Sequence, residues 1–319
     1  MPALLTHDFF GKDLYGTMYE SIGETNDEYQ AFLLGNQGPD PLFFSVLSPQ
    51  YFPYQRIGSK MHDQKTNELL AALKQSLSTL KEFEYPIGLA YAKGFLCHYL
   101  LDRTMHPLVY YYQYALCSAG VEGLDSSNGH EVHSVIESEL DEMVLYKKRH
   151  ETIDTYNPAQ QVLLASQNVL DIASKMYVYI ALIVFKQTIP SKFFSLSTKN
   201  YRLVQWALYS PSGLKRDLLG ATEELFRKYS FCRAMSLQDR KIEESQFDNH
   251  ERIEWVDPFT GNAHSTSFWD LYDMTLDKAA IALRVFEHSD FDEEIAADIT
   301  HGLNFSGKPV APTITIDVE

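Results

Sequence analysis

Apolar positions recur at helical spacing over most of the 319-residue chain. Between Gln64 and Phe83, the residues Leu69, Leu70, Leu73, Leu77 and Leu80 fall three or four apart, which predicts a helix that Tyr85-Pro86 ends. A second helix is predicted from about Ile87 to Arg103, with Pro107 marking a turn near its end and Leu108–Leu116 reading as a short, tyrosine-rich helix beyond it. Loop chemistry in GVEGLDSSNG (Gly120–Gly129), with Ser127 or Asn128 as the cap, precedes a helix from His130 to about Lys148. Its basic end, Lys147, Lys148 and Arg149, complements the helix dipole. Pro158 opens a long helix through Phe185, and further helices are predicted around Leu214–Met235 and Phe268–Glu287. The tail GKPVAPTITIDVE holds two prolines and several β-branched residues, so it reads as extended. No repeat, low-complexity tract or linker divides the chain. The expectation is an all-α fold: a single helical, bundle-like domain over residues 1–319, with an irregular middle and an extended C-terminal tail.

Composition narrows the classes of function. Apolar residues make up 45% and charged residues 22%, the balance of a globular protein. Lys and Arg number 27 against 43 Asp and Glu, a net charge of −16 that repels nucleic acids and anionic membranes at long range. A basic-patch DNA binder is thereby disfavoured, and a phosphate-bearing substrate would need metal to reverse the local field. Cys97, Cys117 and Cys232 are odd in number and form no CxxC, which points to a reducing compartment and a cytoplasmic location. The opening MPALLTHDFFGKDLYG lacks the basic and apolar regions of a signal peptide, and the apolar run Met176–Phe185 is too short to span a bilayer. No GxSxG, P-loop or dinucleotide-binding pattern occurs.

The histidines carry the chemical signal. Seven of the 11 lie within the first 150 residues: His7, His62, His98, His106, His130, His133 and His150. His98 with Asp102 and His133 with Glu137 form HxxxD/E pairs inside predicted helices, where residues four apart share a face and can grip one cation. His150–Asp154, His250–Glu254 and His288–Asp292 share the pattern, so spacing alone is weak. His98 and Asp102 stand out because their helix is otherwise mostly apolar, where a charged pair is costly unless paired or bound to metal. The alternative is a buried structural His–Asp hydrogen bond. His106 follows Asp102 by four residues and can face the same site.

Four ordered segments belong together: LGNQGPDPLFF (Leu34–Phe44), SKMHDQ (Ser59–Gln64), GFLCHYLLDRTMHP (Gly94–Pro107) and HSVIESELD (His133–Asp141). Read in order over roughly the first 145 residues, they resemble the zinc-dependent phospholipase C family, which is related to the fungal single-strand-specific nucleases. The resemblance implies a helical bundle holding a metal cluster between helices, usually of three zinc ions. It implies Asp40, His62, His98 and Asp102 around one ion, and His106, His133 and Glu137 around a second. A third would take the amino-terminal residue's backbone and an early histidine, for which His7 is the candidate, with Asp102 bridging to the first. This chain departs from secreted members: it begins Met1-Pro2 rather than with tryptophan, the gap to His7 is short, and Asp102 and His106 lie closer together. Two or three ions are therefore expected.

The donor chemistry agrees. Imidazole and carboxylate without thiolate suit zinc, and iron or manganese would also fit. With Asp40, Asp102 and Glu137, two divalent ions leave a net +1 and three leave +3, a positive focus for a phosphate. The expected activity is a metal-dependent phosphoesterase, phospholipase C-like, cleaving a small-molecule or lipid phosphodiester through a metal-bound hydroxide, with Asp40 as the base. A nuclease-like hydrolase acting on nucleic acid, and a non-catalytic helical protein with a structural metal, are the alternatives. Nearby residues take bland readings: His130 as solvent-exposed or supporting, and Glu139 and Asp141 outside the ligand set, with Asp141 a candidate to orient a ligating histidine. Arg103 and Lys60 read as ion-pair partners, Tyr110–Tyr112 and Tyr114 as core packing, and Cys97 as a small core residue. His264 lies in a turn-rich stretch whose place in space the sequence leaves open.

Overall fold

Local signals set most helix starts. The computed structural model describes residues 4–122 and 124–310. Helix α1 (Leu4–Ile22) is followed by α2 (Asn26–Gly35), which Thr25 opens with a capping box: its hydroxyl accepts from the Glu28 N–H and the Glu28 carboxylate accepts from the Thr25 N–H. A 3-10 stretch (Asp40–Leu47) leads through Pro49–Tyr54 to α3 (Arg56–Asp63) and α4 (Thr66–Ser76). Then comes the long α5 (Tyr85–Cys117), with Pro86 in its first turn, where no N–H is needed. Helix α6 (Gly129–Arg149) ends in the three basic residues and a left-handed His150. There follow α7 (Pro158–Gln161), α8 (Gln167–Phe185), α9 (Phe193–Leu208), α10 (Leu214–Glu223) and α11 (Phe231–Ala234). A two-residue antiparallel pair, β1 (Trp255–Val256) with β2 (Ala263–His264), precedes α12 (Phe268–Glu287) and α13 (Glu293–Thr300). The molecule is predominantly helical, and the all-α expectation holds.

Several boundaries depart from the sequence reading, each for a local reason. The predicted 64–83 helix stops at Ser76 and tightens into a 3-10 turn at Leu77–Thr79. Pro107 ends nothing: α5 runs through it, and the chain at Gly307 packs against the Pro107 ring and the Arg103 carbonyl, whose helical donor the proline lacks. Asn128 stands at the N-cap of α6 but makes no side-chain cap bond there; Asp125 caps the preceding 3-10 turn through the Ser127 N–H. The helix predicted from Pro158 breaks at the left-handed Leu163 and restarts at Gln167 under a Ser166 cap. Leu214–Met235 likewise splits into α10 and α11. Of the predicted extended tail, residues 307–310 are described, with Pro309 bridging Leu303, and 311–319 lie outside the described residues.

Helix α5 is the centre of the packing, flanked by α2, α12, α6, α1 and α8. The α2–α5 crossing is close because Gly35 and Gly94 face each other: a Cβ on Gly94 would lie 2.1 Å from the Phe32 carbonyl oxygen. The buried Lys93 of α5 is neutralised by Glu287 of α12 and by the Ser21 carbonyl. Helix α8 is, by length and composition, apolar enough to cross a membrane, a length the 176–185 reading underestimated. In this structure 56% of its apolar window is buried against its neighbours, as in a core helix.

Candidate metal centre

Five segments bring the site together. Along α5, His98, Asp102 and His106 follow at intervals of four and form one stripe. On the neighbouring α6, His133 and Glu137 repeat that spacing. His7 projects from α1, Asp40 opens the 3-10 stretch after α2, and His62 sits in the last turn of α3. Three groups result, in each of which the donor atoms lie within 4.8 Å of one another: His7, His98 and Asp102; Asp40, His62 and His98; His106, His133 and Glu137. All eight residues singled out from the sequence fall in these groups.

The contacts link the groups into one centre. The Asp102 carboxylate meets His7 Nε2 at 3.0 Å, His98 Nε2 at 3.3 Å and His106 Nδ1 at 3.7 Å. Asp40 meets His62 Nε2 at 3.0 Å and His98 Nε2 at 3.9 Å. Glu137 meets His133 Nε2 at 3.2 Å and His106 Nε2 at 3.4 Å. Among the described residues no lysine or arginine pairs with Asp40 or Asp102.

The far side of each ring is tied down. His62 Nδ1–H donates to the Gly58 carbonyl at 2.8 Å, His98 Nδ1–H to Asn36 at 3.1 Å and His106 Nδ1–H to Phe305 at 2.9 Å. His133 Nδ1–H donates to the Gln113 side-chain oxygen at 2.8 Å. A carbonyl can only accept, so the single proton of each neutral ring is committed there. In His98 and His133, which burial keeps neutral, Nε2 is then a lone pair facing carboxylate oxygens, an arrangement that a cation between them satisfies, whereas His106 holds at Nε2 a second proton that a metal would displace. Of these, His98 Nε2 is buried without a hydrogen-bond partner, and so is one further atom, His7 Nδ1. Gly38 belongs to this cradle, since a Cβ there would lie 2.1 Å from the His98 ring.

Electrostatics separates the rings. Burial pushes His98 down to about 4 and also lowers His133. For His106 burial works the same way, but Asp102 and Glu137 outweigh it and raise the ring to about 9. His62 is raised by Asp40 against its burial. Burial alone would raise Asp40, Asp102 and Glu137; the surrounding imidazoles hold all three below the ordinary carboxylate range.

The remaining candidates find other work. Asp141 orients no histidine: it accepts from the N–H groups of Leu5 and Thr6 and from the Thr6 hydroxyl, pinning the start of α1 beside His7. Glu139 holds the Ser245–Gln246 turn. Among the described residues neither Arg103 nor Lys60 forms an ion pair; Arg103 donates to the Ile299 carbonyl and lies over the Tyr99 ring. His130 is exposed, and His264 packs on Trp255 outside the three groups. Tyr110 does border the site, with its ring 5.0 Å from His133. The amino-terminal backbone expected at a third ion lies outside the described residues. What sequence reasoning missed is the C-terminal loop: the Phe305 N–H donates to the His62 carbonyl, its carbonyl accepts from His106, and its ring packs on His62 and His98.

No curated protein and no solved structure matches this chain. A family model described as zinc dependent phospholipase C matches residues 6–183, which contain every residue of the three groups. With more than half of its length in that match, the chain belongs to the zinc-dependent phospholipase C family.

Proposed function

We propose that the eight clustered side chains hold the zinc ions of a phosphodiester hydrolase, and that Asp40 serves as its base. In this reading Asp40, His62, His98 and Asp102 surround one ion. His106, His133 and Glu137 surround a second, and His7 with Asp102 contributes to a third. Bound zinc lowers the pKa of water to near 7 and stabilises phosphoryl oxygens as charge develops. The chain's own residues do the rest. The carbonyl-anchored rings keep their Nε2 atoms aimed inward without reorganisation. Asp40, held ionised by its histidine neighbours, is available to accept a proton from the attacking water. A cavity of about 20 Å³, room for a single water, lies beside Asp102 and Glu137 and is walled by Met105, Val109, Leu140 and Phe268. The substrate class we favour is a small or lipid phosphodiester, since the −16 charge disfavours nucleic acid. The three free cysteines support a cytoplasmic location.

The observation that carries this reading is the set of inward Nε2 atoms facing carboxylates with every outer nitrogen of four rings already bonded. Purified protein is expected to contain zinc and to hydrolyse bis-p-nitrophenyl phosphate. Asp102→Asn, with an unchanged circular dichroism spectrum, is expected to lose about a hundredfold or more in turnover. Wild-type turnover in that variant would reject the assignment.

A further inference from the structure

The four most exposed large apolar side chains among the described residues lie within one short stretch: Leu214 at 74%, Leu218 at 71%, Leu225 at 77% and Phe226 at 88%. Leu203 and Trp206 on the adjoining α9 are also exposed, and Lys215 Nζ lies 5.1 Å from the Trp206 ring, which joins the end of α9 to the start of α10. So many strongly exposed large apolar side chains in one stretch are unusual on a surface that must face water alone. The stretch is not loose chain. The Ser210 hydroxyl accepts from the Lys215 N–H at 3.0 Å, and the Glu223 carboxylate accepts from the Cys232 N–H at 2.8 Å. Arg227 pairs with Glu131 of α6, and Ser138 of α6 donates to the Ala234 carbonyl. The apolar residues are thus held outward on a frame fastened to the helix that carries His133 and Glu137.

Charge identifies the occupant. Residues 199–233 contain seven Lys or Arg and three Asp or Glu, a net +4 in a chain of net −16. Three of these cations form no ion pair among the described residues: Lys199 donates to the Gln167 side chain, Arg202 to the Ala159 carbonyl, and Lys215 lies over Trp206; Lys228 donates to the Glu122 carbonyl within reach of the Asp125 charge. A second copy that met this face with its own same face, as a two-fold dimer does, would set one net +4 stretch against another. An anionic bilayer offers both an apolar interior for leucine and aromatic side chains and headgroup charge for the lysines. We propose that the α9–α10 surface, from Leu203 to Tyr229, docks the protein on anionic lipid bilayers. The surface is separate from the metal centre, so docking stands or falls independently of the hydrolytic reading.

The test is vesicle sedimentation of the full chain, with phosphatidylcholine vesicles containing or lacking phosphatidylserine. Binding is expected only with phosphatidylserine, accompanied by a blue shift of Trp206 fluorescence that Trp206→Phe removes; the other tryptophans, Trp255 and Trp269, are buried and half-buried. Leu218→Ser with Phe226→Ser is expected to weaken binding about tenfold or more. Lys215→Glu and Lys228→Glu are each expected to weaken it about fivefold or more. All of these variants should keep the wild-type thermal midpoint and the wild-type turnover of soluble ester. Failure of the wild type to sediment, equal sedimentation with phosphatidylcholine alone, or undiminished binding by both sets of variants would overturn the proposal. So would a concentration-dependent dimer, abolished by the same substitutions, in place of vesicle binding.

Discussion

His106, like His62, is raised by its carboxylate neighbours while His98 and His133 are lowered, and in the proposed centre this makes metal uptake a proton-exchange reaction. Burial disfavours a charged ring, yet Asp102 and Glu137 raise His106 from 6.5 to about 9. Its folded pKa exceeds its unfolded one, so the protonated ring stabilises the metal-free protein fully below pH 6.5, and that contribution fades as pH rises through about 9. A zinc ion must displace this proton, whereas His98 and His133, held low by burial, are neutral near pH 7 and have none to give. Zinc affinity is therefore expected to increase across that pH interval, with protons released on binding. Titration calorimetry in buffers of different ionisation enthalpy measures the release; binding without proton exchange would contradict the assignment of His106. At this scale the sequence was most legible. The HxxxD and HxxxE spacings and the apolar setting of His98 pick out the α5 and α6 residues, while Asp40, His62 and His7 became readable through the family resemblance. The carbonyl partners of the rings were not legible, because backbone acceptors leave no mark in residue type.

Among the helices, α5 sets the register of the centre because its stripe supplies three of the eight side chains and, continued one turn back to Gly94, meets α2. That crossing depends on the glycine pair. Helix propensity alone says that Gly94→Ala should stabilise by about 1 kcal/mol. The added Cβ would instead meet the Phe32 carbonyl at 2.1 Å and the Asn36 nitrogen at 2.9 Å, both backbone atoms that cannot swing aside. Overpacking of this kind costs about 1–3 kcal/mol or more, so the clash wins and a lower urea midpoint is expected. Zinc content should fall with it, since Asn36 and Asp40 follow α2 directly and would be displaced from His98. A Gly94→Ala protein as stable as wild type would refute the packing argument. Helical periodicity located α4, α5, α6, α8, α10 and α12, but it left α1, α2, α3, α9 and α13 unread and did not give the breaks. Pro107 reads as a stop and is tolerated because another part of the chain covers the gap. Leu163 reads as helix interior and adopts a left-handed turn.

Across the whole molecule, the family match ends at residue 183, yet the centre is completed by residue 305. The loop after α13 threads between the helices so that one residue ties two metal groups together: the Phe305 N–H binds the His62 carbonyl at 3.2 Å, and its own carbonyl fixes His106. Its ring, fully buried, lies 5.0 Å from the rings of His62 and Tyr99 and 5.7 Å from that of His98. No periodicity or motif announces such a contact, because an irregular segment reaching across nearly the whole chain has no local pattern to read. The consequence is measurable. Phe305→Ala keeps both backbone hydrogen-bonding groups but leaves a cavity beside the imidazoles, at a cost of about 3–5 kcal/mol. Water admitted there raises the local dielectric and weakens the hold of the ligand set, so zinc should dissociate faster to a competing chelator in the same variant. Phe305→Leu, which fills most of the volume, is expected to recover most of the stability and slow the release again. If Phe305→Ala melts and retains zinc as the wild type does, the C-terminal loop is a covering rather than a working part of the centre.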